Sequence, residues 1–277
     1  MNRAGRGTTR GRAALRVDAI GDRIHLAQTE HVNWVMHVGP DGVTLVDSGY
    51  AGQRRLLEAS LRAVGCRPED VTAVLVTHGH ADHLGGAAWL AETYGTPVYA
   101  HVDELANVRR ERLEQAGPAD VVRNLWRPGV ARWVSGMLPL LRGGARLGVP
   151  SASPLPVRGG RVDGRVGGRV DGGIVEVPGR PRVRLVAGHT SGHAVFEFED
   201  SGVIVVGDAL ITRHRISPIV GPQLLPEMFH HDAELARASL AVLRDSTARV
   251  MLTGHGEPWI GSAAAAVEVA LANGVAW

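Results

Sequence analysis

The sequence contains no lysine: all 30 of its basic side chains are arginine. That absence removes Schiff-base chemistry and lysine general bases from consideration. Cysteine is almost as scarce. Cys66 stands alone, so no intrachain disulfide can form, and its Gly65-Cys66-Arg67-Pro68 setting reads as a structural turn away from any reactive cluster. No stretch approaches the roughly 18 consecutive apolar residues of a membrane-spanning helix, so no span is expected. An excess of one charge is also missing. Against 30 basic residues stand 28 acidic ones, a net charge of +2, and neither a nucleic-acid partner nor a membrane partner is expected. Residues 1–16 carry Arg3, Arg6, Arg10, Arg12 and Arg16 with no acid, and no apolar stretch follows. They are predicted to form a disordered, solvated tail rather than a secretory signal, which implies a cytoplasmic protein.

What is present suffices for a sizeable core: 277 residues, 44% of them hydrophobic. The pattern predicts one domain over 17–277. Alternation and β-branched content predict strands over Ile20–Ala27, Val32–Val38 and Val43–Val46, with a hairpin turn at Asp41-Gly42. Helical spacing follows over Arg54–Val64, a strand over Val71–Val76, a helix ending before Gly95, and a short strand over Pro97–Ala100. Strands resume at Ile174–Val177, Val183–Val186, Ala194–Phe198, Val203–Val206 and Val250–Leu252, with helices at Ala233–Leu243 and Gly261–Ala272. Mixed strands and helices in this order predict an α/β sandwich. Between them, about 102–173 reads as a helical insertion, starting with a helix-like Glu104–Gln115. It ends in a Gly/Arg-rich repeat, 161–173, expected to be an exposed loop or loose hairpin. Trp126, Trp133 and Met137 recur there at roughly helical spacing and either pack on the body or roof a pocket.

The chemistry concentrates in Thr77-His78-Gly79-His80-Ala81-Asp82-His83, between a β-branched run and a helix of small residues. In an extended loop His78 and His80 point the same way, and Asp82 and His83 open the next turn. Neutral imidazole is the commonest metal ligand, and carboxylate adds a hard oxygen donor, so one segment can serve two ions. His189, Asp208 and His255 each follow a glycine near the end of a short apolar strand. Strand C-terminal ends gather on one edge of an α/β sheet, where ligands bind. Seven metal-capable side chains at such ends are hard to explain as core residues.

The motifs His-x-His-x-Asp-His, Gly-His-Thr-x-Gly-His, Gly-Asp-Ala-Leu and Gly-His-Gly-Glu-Pro resemble those of the metallo-β-lactamase-fold hydrolases, above all their glyoxalase II-like and lactonase-like branches. The resemblance covers about Ile20–His101 and 174 onward. It implies a four-layer αββα sandwich with a dinuclear site on one edge. It assigns His78, His80 and His189 to one metal, Asp82, His83 and His255 to the other, and Asp208 as a bridge. Asp47 matches a supporting loop residue, and His193 a position that hydrogen-bonds the ligands, although a satisfied core histidine reads as well. Nitrogen and oxygen donors without thiolate favour two Zn²⁺ ions, with Mn²⁺ or Fe²⁺ as alternatives. The implied activity is hydrolysis of a small-molecule ester, thioester or lactone by a dinuclear-metal-bound hydroxide, with Asp82 as the catalytic proton carrier.

Zinc β-lactamases generally lack a carboxylate matching Asp208, which tells against a β-lactam substrate. The short segment after His255 and the absence of lysine tell against strict glutathione specificity. The substrate pocket is expected among Trp126, Trp133, Met137, His214, Phe229, His230 and His231, although solvent-exposed loop positions explain any one of these histidines. Two other classes stay open: a mononuclear-iron, persulfide dioxygenase-like oxidoreductase, and a phosphodiesterase or nuclease of the same fold. A homodimer is compatible with the sequence but not indicated by it.

Overall fold

The computed structural model describes residues 15–144, 147–162 and 170–275. The N-terminal stretch 1–14 and the centre of the Gly/Arg repeat, 163–169, lie outside them. Strands β1 (Arg16–Ala19), β2 (Ile24–Gln28), β3 (Asn33–Gly39) and β4 (Gly42–Val46) form an antiparallel meander. Helix α1 (Arg54–Ala63) returns the chain to β5 (Val71–Leu75), parallel to β4, and α2 (Ala81–Tyr94) returns it to β6 (Val98–Ala100). Three short helices follow, α3 (Leu105–Val108), α4 (Pro118–Asn124) and α5 (Val130–Met137), and β7 (Ser153–Pro154) completes a seven-stranded sheet in the order β1 to β7.

The chain then crosses to a second sheet through β8 (Val157–Arg158) and a side hairpin, β9 (Arg161–Val162) with β10 (Val170–Asp171). The remaining strands are β11 (Ile174–Val175), β12 (Arg182–Leu185), β13 (Ala194–Phe198), β14 (Val203–Gly207), β15 (Val250–Thr253) and β16 (Trp259–Ile260). They pair in the order β16-β15-β14-β13-β12-β11-β8, with α6 (Ala233–Ser239) before β15 and α7 (Ala263–Asn273) after β16.

Alternation along the strands builds the layers. Trp34 and Met36 of β3 join Leu57 and Leu61 of α1 and Leu84 and Leu90 of α2 in one core, whereas Val35 between them joins Phe196, Val205 and Leu252 in the core between the sheets. On β14, Val203 and Val205 face that inner core, and Ile204 and Val206 face Leu240, Leu243, Ala266 and Val267 on the far side. The result is the αββα sandwich expected from the sequence.

Three boundaries differ from expectation. Arg16, placed in the tail, belongs to β1, because pairing with β2 and side-chain bonds to Gln28 and Glu257 hold it in the sheet. The 102–173 stretch is no simple helical insertion. It contributes β7 to one sheet and β8 to the other, and so carries the crossover between them. The helix expected over Glu104–Gln115 stops at Val108, and Arg110 adopts φ 65, which a continuing α-helix does not allow.

Candidate metal centre

Five strands deliver the site. β4 ends in Asp47, β5 in the histidine loop, β12 in the His189 loop, β14 in Asp208 and β15 in His255. The edge where they end is stitched across the two sheets: Ala194 N–H donates to the Thr77 carbonyl at 2.9 Å, and Asn33 N–H to the Gly254 carbonyl at 2.8 Å. The small residues after the histidines have a packing reason. A Cβ at Gly85 would run into the backbone of Tyr50 and Ala51, so only glycine lets α2 lie against the Asp47 loop. A Cβ at Gly254 would occupy the place of Asp208 Oδ1.

Three ring nitrogens converge first. His189 Nε2 lies 3.2 Å from His78 Nε2 and 3.1 Å from His80 Nδ1. The second group is Asp82, His83 and His255, with His255 Nε2 3.5 Å from Asp82 Oδ2. Donor atoms within each group lie within 4.8 Å of one another, and so do those of His78, His83 and Asp208. Asp208 stands between the groups. Its Oδ2 is 3.2 Å from His255 Nε2 and 3.7 Å from His189 Nε2, and its Oδ1 is 3.8 Å from His83 Nε2.

Behind each imidazole another residue holds the second nitrogen. His78 Nδ1 meets Thr77 Oγ1 at 3.0 Å, and His80 Nε2–H donates to the Glu114 carbonyl at 2.6 Å. His255 Nδ1–H donates to the His31 carbonyl at 2.6 Å, and His189 Nδ1 meets His230 Nδ1 at 3.2 Å. His83 Nδ1–H donates to Asp47 Oδ2 at 2.8 Å. Asp47 sits at φ 60, a conformation Asp tolerates better than most residues, and also accepts from Thr77 N–H and Thr77 Oγ1–H. His193 Nε2 accepts from the Asp208 N–H at 3.2 Å. Such contacts fix ring orientation and leave the opposite nitrogen presented to the centre.

Two of the presented atoms lack partners. His83 Nε2 and Asp208 Oδ1 are buried with no hydrogen bond among the described residues. A buried polar atom without a partner is costly, and two of them facing one another 3.8 Å apart suit a shared cation. The donor set fits a divalent metal, since all seven donors are nitrogen or oxygen.

Electrostatics divides the two groups. Burial, reinforced by neighbouring rings, pushes the His78 and His189 imidazoles well below their ordinary value, and burial takes His80 to about 4. These rings are neutral, the form that binds metal. Burial opposes charge on His83 too, but Asp47, Asp82 and Asp208 outweigh it and raise the ring to about 10. His255 is raised likewise, its burial outweighed by Asp208 and Asp82. Asp208 is held well below the usual carboxylate range: burial works against its charge, and His255, His83 and His189 prevail.

A cleft of about 620 Å³ opens over His255 and is lined in part by Trp133 and His214. Phe229 packs edge-on against Trp133, with ring centroids 5.3 Å apart, and against His214 at 5.7 Å. Met137 joins the same small cluster. His230 is not a cleft residue; it backs His189. The ring of His231 is exposed, and its backbone N–H donates to the His189 carbonyl. Trp126 is not brought to the site. α4 ends at Asn124, and Trp126 is 76% exposed with the Arg127 guanidinium over its ring.

Several residues that shape the site carried no sequence signal. Glu104 is fully buried. Its Oε1 accepts from Gly79 N–H and Asn107 Nδ2 at 2.7 Å, and its Oε2 from Thr190 Oγ1 at 2.7 Å and Gly192 N–H at 2.9 Å. It thus ties the His78–His80 loop to the His189 loop. Tyr50 is buried beside Asp82 and hydrogen-bonds to it; burial, then Asp82 and Asp208, raise its hydroxyl well above the ordinary value. Only its position three residues after Asp47 could have pointed to it.

The fold and sequence have counterparts among known proteins. The chain is 27% identical over 232 residues to a probable metallo-hydrolase, YflN, of Bacillus subtilis, covering 80% of this chain and 78% of that one. It superposes on the metallo-beta-lactamase family protein TTHA1429 of Thermus thermophilus with a TM-score of 0.58 and 30% identity, over 86% and 72% of the two chains. The metallo-beta-lactamase SMB-1 shares the fold, with a TM-score of 0.60 over 92% and 93% of the chains at 17% identity. The metallo-beta-lactamase superfamily model matches residues 28–255, which take in every ligand-type residue described above, and the chain belongs to that superfamily.

Proposed function

We propose that the protein is a hydrolase that cleaves an ester, thioester or lactone of a small molecule with two divalent cations, zinc the foremost candidate. The supporting observation is the convergence of seven nitrogen and oxygen donors in two adjoining groups, with buried His83 Nε2 and Asp208 Oδ1 left without partners. His78, His80 and His189 would hold one cation, Asp82, His83 and His255 the other, and Asp208 would touch both. Bound there, the cations supply Lewis acidity and lower the pKa of water toward neutrality.

The chain's own residues do the rest. Asp82 is half-buried at the centre, and the Tyr50 hydroxyl donates to its carboxylate and orients it. Asp82 Oδ2 can take a proton from the attacking water and return it to the leaving group. Trp133 and His214, with Phe229 packed against both rings, form a wall that restricts water beside His255. The cleft's volume suits a small molecule, and the reading includes a cytoplasmic site of action.

The test is metal content per chain measured on the same sample as hydrolysis of a thioester, a lactone and a β-lactam. Two zinc-like ions with turnover of the thioester or lactone support the reading. One iron per chain, oxygen uptake and no hydrolysis would sink it in favour of a sulfur-oxidising oxidoreductase.

A further inference from the structure

Among the described residues the cleft over His255 is lined by four arginines, Arg16, Arg132, Arg213 and Arg215, and by two carboxylates, Glu30 and Glu257. Both carboxylates are engaged. Glu257 pairs with Arg16 at 2.5 Å, and Glu30 with Arg215 at 2.8 Å. Arg132 and Arg213 are exposed and have no ion pair among the described residues. Two arginines therefore line one cleft in which both carboxylates of the described lining residues are already paired.

Their backbones are held there by the packing beneath. Arg132 directly precedes Trp133, and Arg213 directly precedes His214; those two rings meet with centroids 5.9 Å apart. The His214 ring in turn stands edge-on to His255 at 5.2 Å. Thr212 fixes the other side of Arg213, its N–H donating to the His255 carbonyl at 3.1 Å and its hydroxyl to the Glu257 carbonyl at 2.6 Å. A contact between an α5 residue and a residue of the loop after β14 thus brings the two arginines from distant parts of the sequence to one cleft beside the candidate metal centre.

We propose that Arg132 and Arg213 clamp an oxyanion of the substrate, so that the substrate class is an ester, thioester or lactone bearing a separate carboxylate, sulfonate or phosphate. Guanidinium donors match such groups with paired, charge-assisted hydrogen bonds. The assignment of substrate class rests on the hydrolase reading above; the anion clamp itself does not. The pair also raises the local concentration of anions at the cleft mouth, an effect that salt screens.

The test uses the metal-loaded protein and two matched pairs of esters. Mono-4-nitrophenyl glutarate against 4-nitrophenyl valerate places the charge on the acyl side. 4-Acetoxybenzenesulfonate against phenyl acetate places it on the alcohol side. In at least one pair the anionic-to-neutral ratio of kcat/KM is expected to fall about tenfold or more in Arg132→Ala/Arg213→Ala, while Arg132→Lys/Arg213→Lys keeps part of it. Ratios equal in wild type and the alanine variant for both pairs would overturn the clamp. Benzenesulfonate binding by calorimetry gives a readout that needs no turnover. Its Kd is expected to rise about tenfold in the alanine variant. If the wild type hydrolyses no ester, the hydrolase reading fails and this Kd alone decides: a rise upholds the anion clamp, and an unchanged value overturns it.

Discussion

On the floor of the site each candidate ligand imidazole is held from behind, by Thr77, Glu114, Asp47, His230 or His31, and Glu104 gathers two loops with four hydrogen bonds. The roof has nothing comparable. Its cluster buries Val130, Trp133 and Ile216, packed with a few half-exposed neighbours, and α4 exposes Val122 beside Leu125 and Trp126. Buried polar networks with their members satisfied rigidify a structure, whereas segments with few buried apolar contacts open at low cost. The floor is built to hold geometry, and the roof is built to vary with what it covers.

Substitutions should separate the two. The largest effect belongs to the floor: His80→Ala or Asp208→Ala is expected to cut kcat/KM at least about a thousandfold and to lower bound metal, with circular dichroism unchanged. Metal analysis and initial rates check it, and full activity in a one-metal Asp208→Ala protein would remove the dinuclear reading.

Acidity divides the floor itself. His83 is protonated up to about pH 10 in the metal-free protein, so a cation entering the Asp82, His83 and His255 group must displace that proton. Its affinity should rise at least about tenfold per pH unit between pH 7 and 9, since His255, raised likewise, must also give up its proton. The His78, His80 and His189 group is already neutral in this range, with His80 at about 4, and its affinity should stay flat. Chelator competition at several pH values reads both, and equal slopes would erase the distinction.

Glu104→Gln comes next. It keeps the size of the side chain but cannot accept from both Gly79 N–H and Gly192 N–H with carboxylate oxygens, and metal affinity should fall about ten- to a hundredfold. On the roof, Trp133→Ala should raise KM about tenfold and leave metal content unchanged. The smallest effect is at Trp126, where alanine should shift stability by no more than about 0.5 kcal/mol and leave KM alone. A strong KM effect at Trp126 would mean that the roof closes further over substrate than the cleft indicates.

The sequence made the strand-end convergence legible because its signals were short-range. His78, His80, Asp82 and His83 fall within one six-residue segment, and His189, Asp208 and His255 each follow a glycine at a strand end. The alternation of β3, β5 and β14 also carried the sandwich, since odd and even residues face different cores. What lay beyond reach was long-range and chemically ordinary. Glu104 is one glutamate among many until Gly192 and Thr190 close on it, and the His31 carbonyl meets a ligand-type ring 224 residues away. Spacing alone groups Trp126 with Trp133, but the break after Asn124, with Gly129 at φ 86, separates them. The 102–173 stretch looked like an insertion because β7 and β8 are two residues each, too short to register as alternation.

The stitching of the two sheets has a consequence for biosynthesis. Neither donor group is encoded in one half of the chain: His78 and His80 wait for His189, and Asp82 and His83 wait for His255. A ribosome emitting this polypeptide finishes the three-histidine group first and the other only after a further 66 residues, 255 less 189. Until residue 189 has emerged the nascent chain offers at most two donors of either group, so the order of translation is also an order of assembly, and the second group cannot be complete before β15 has emerged.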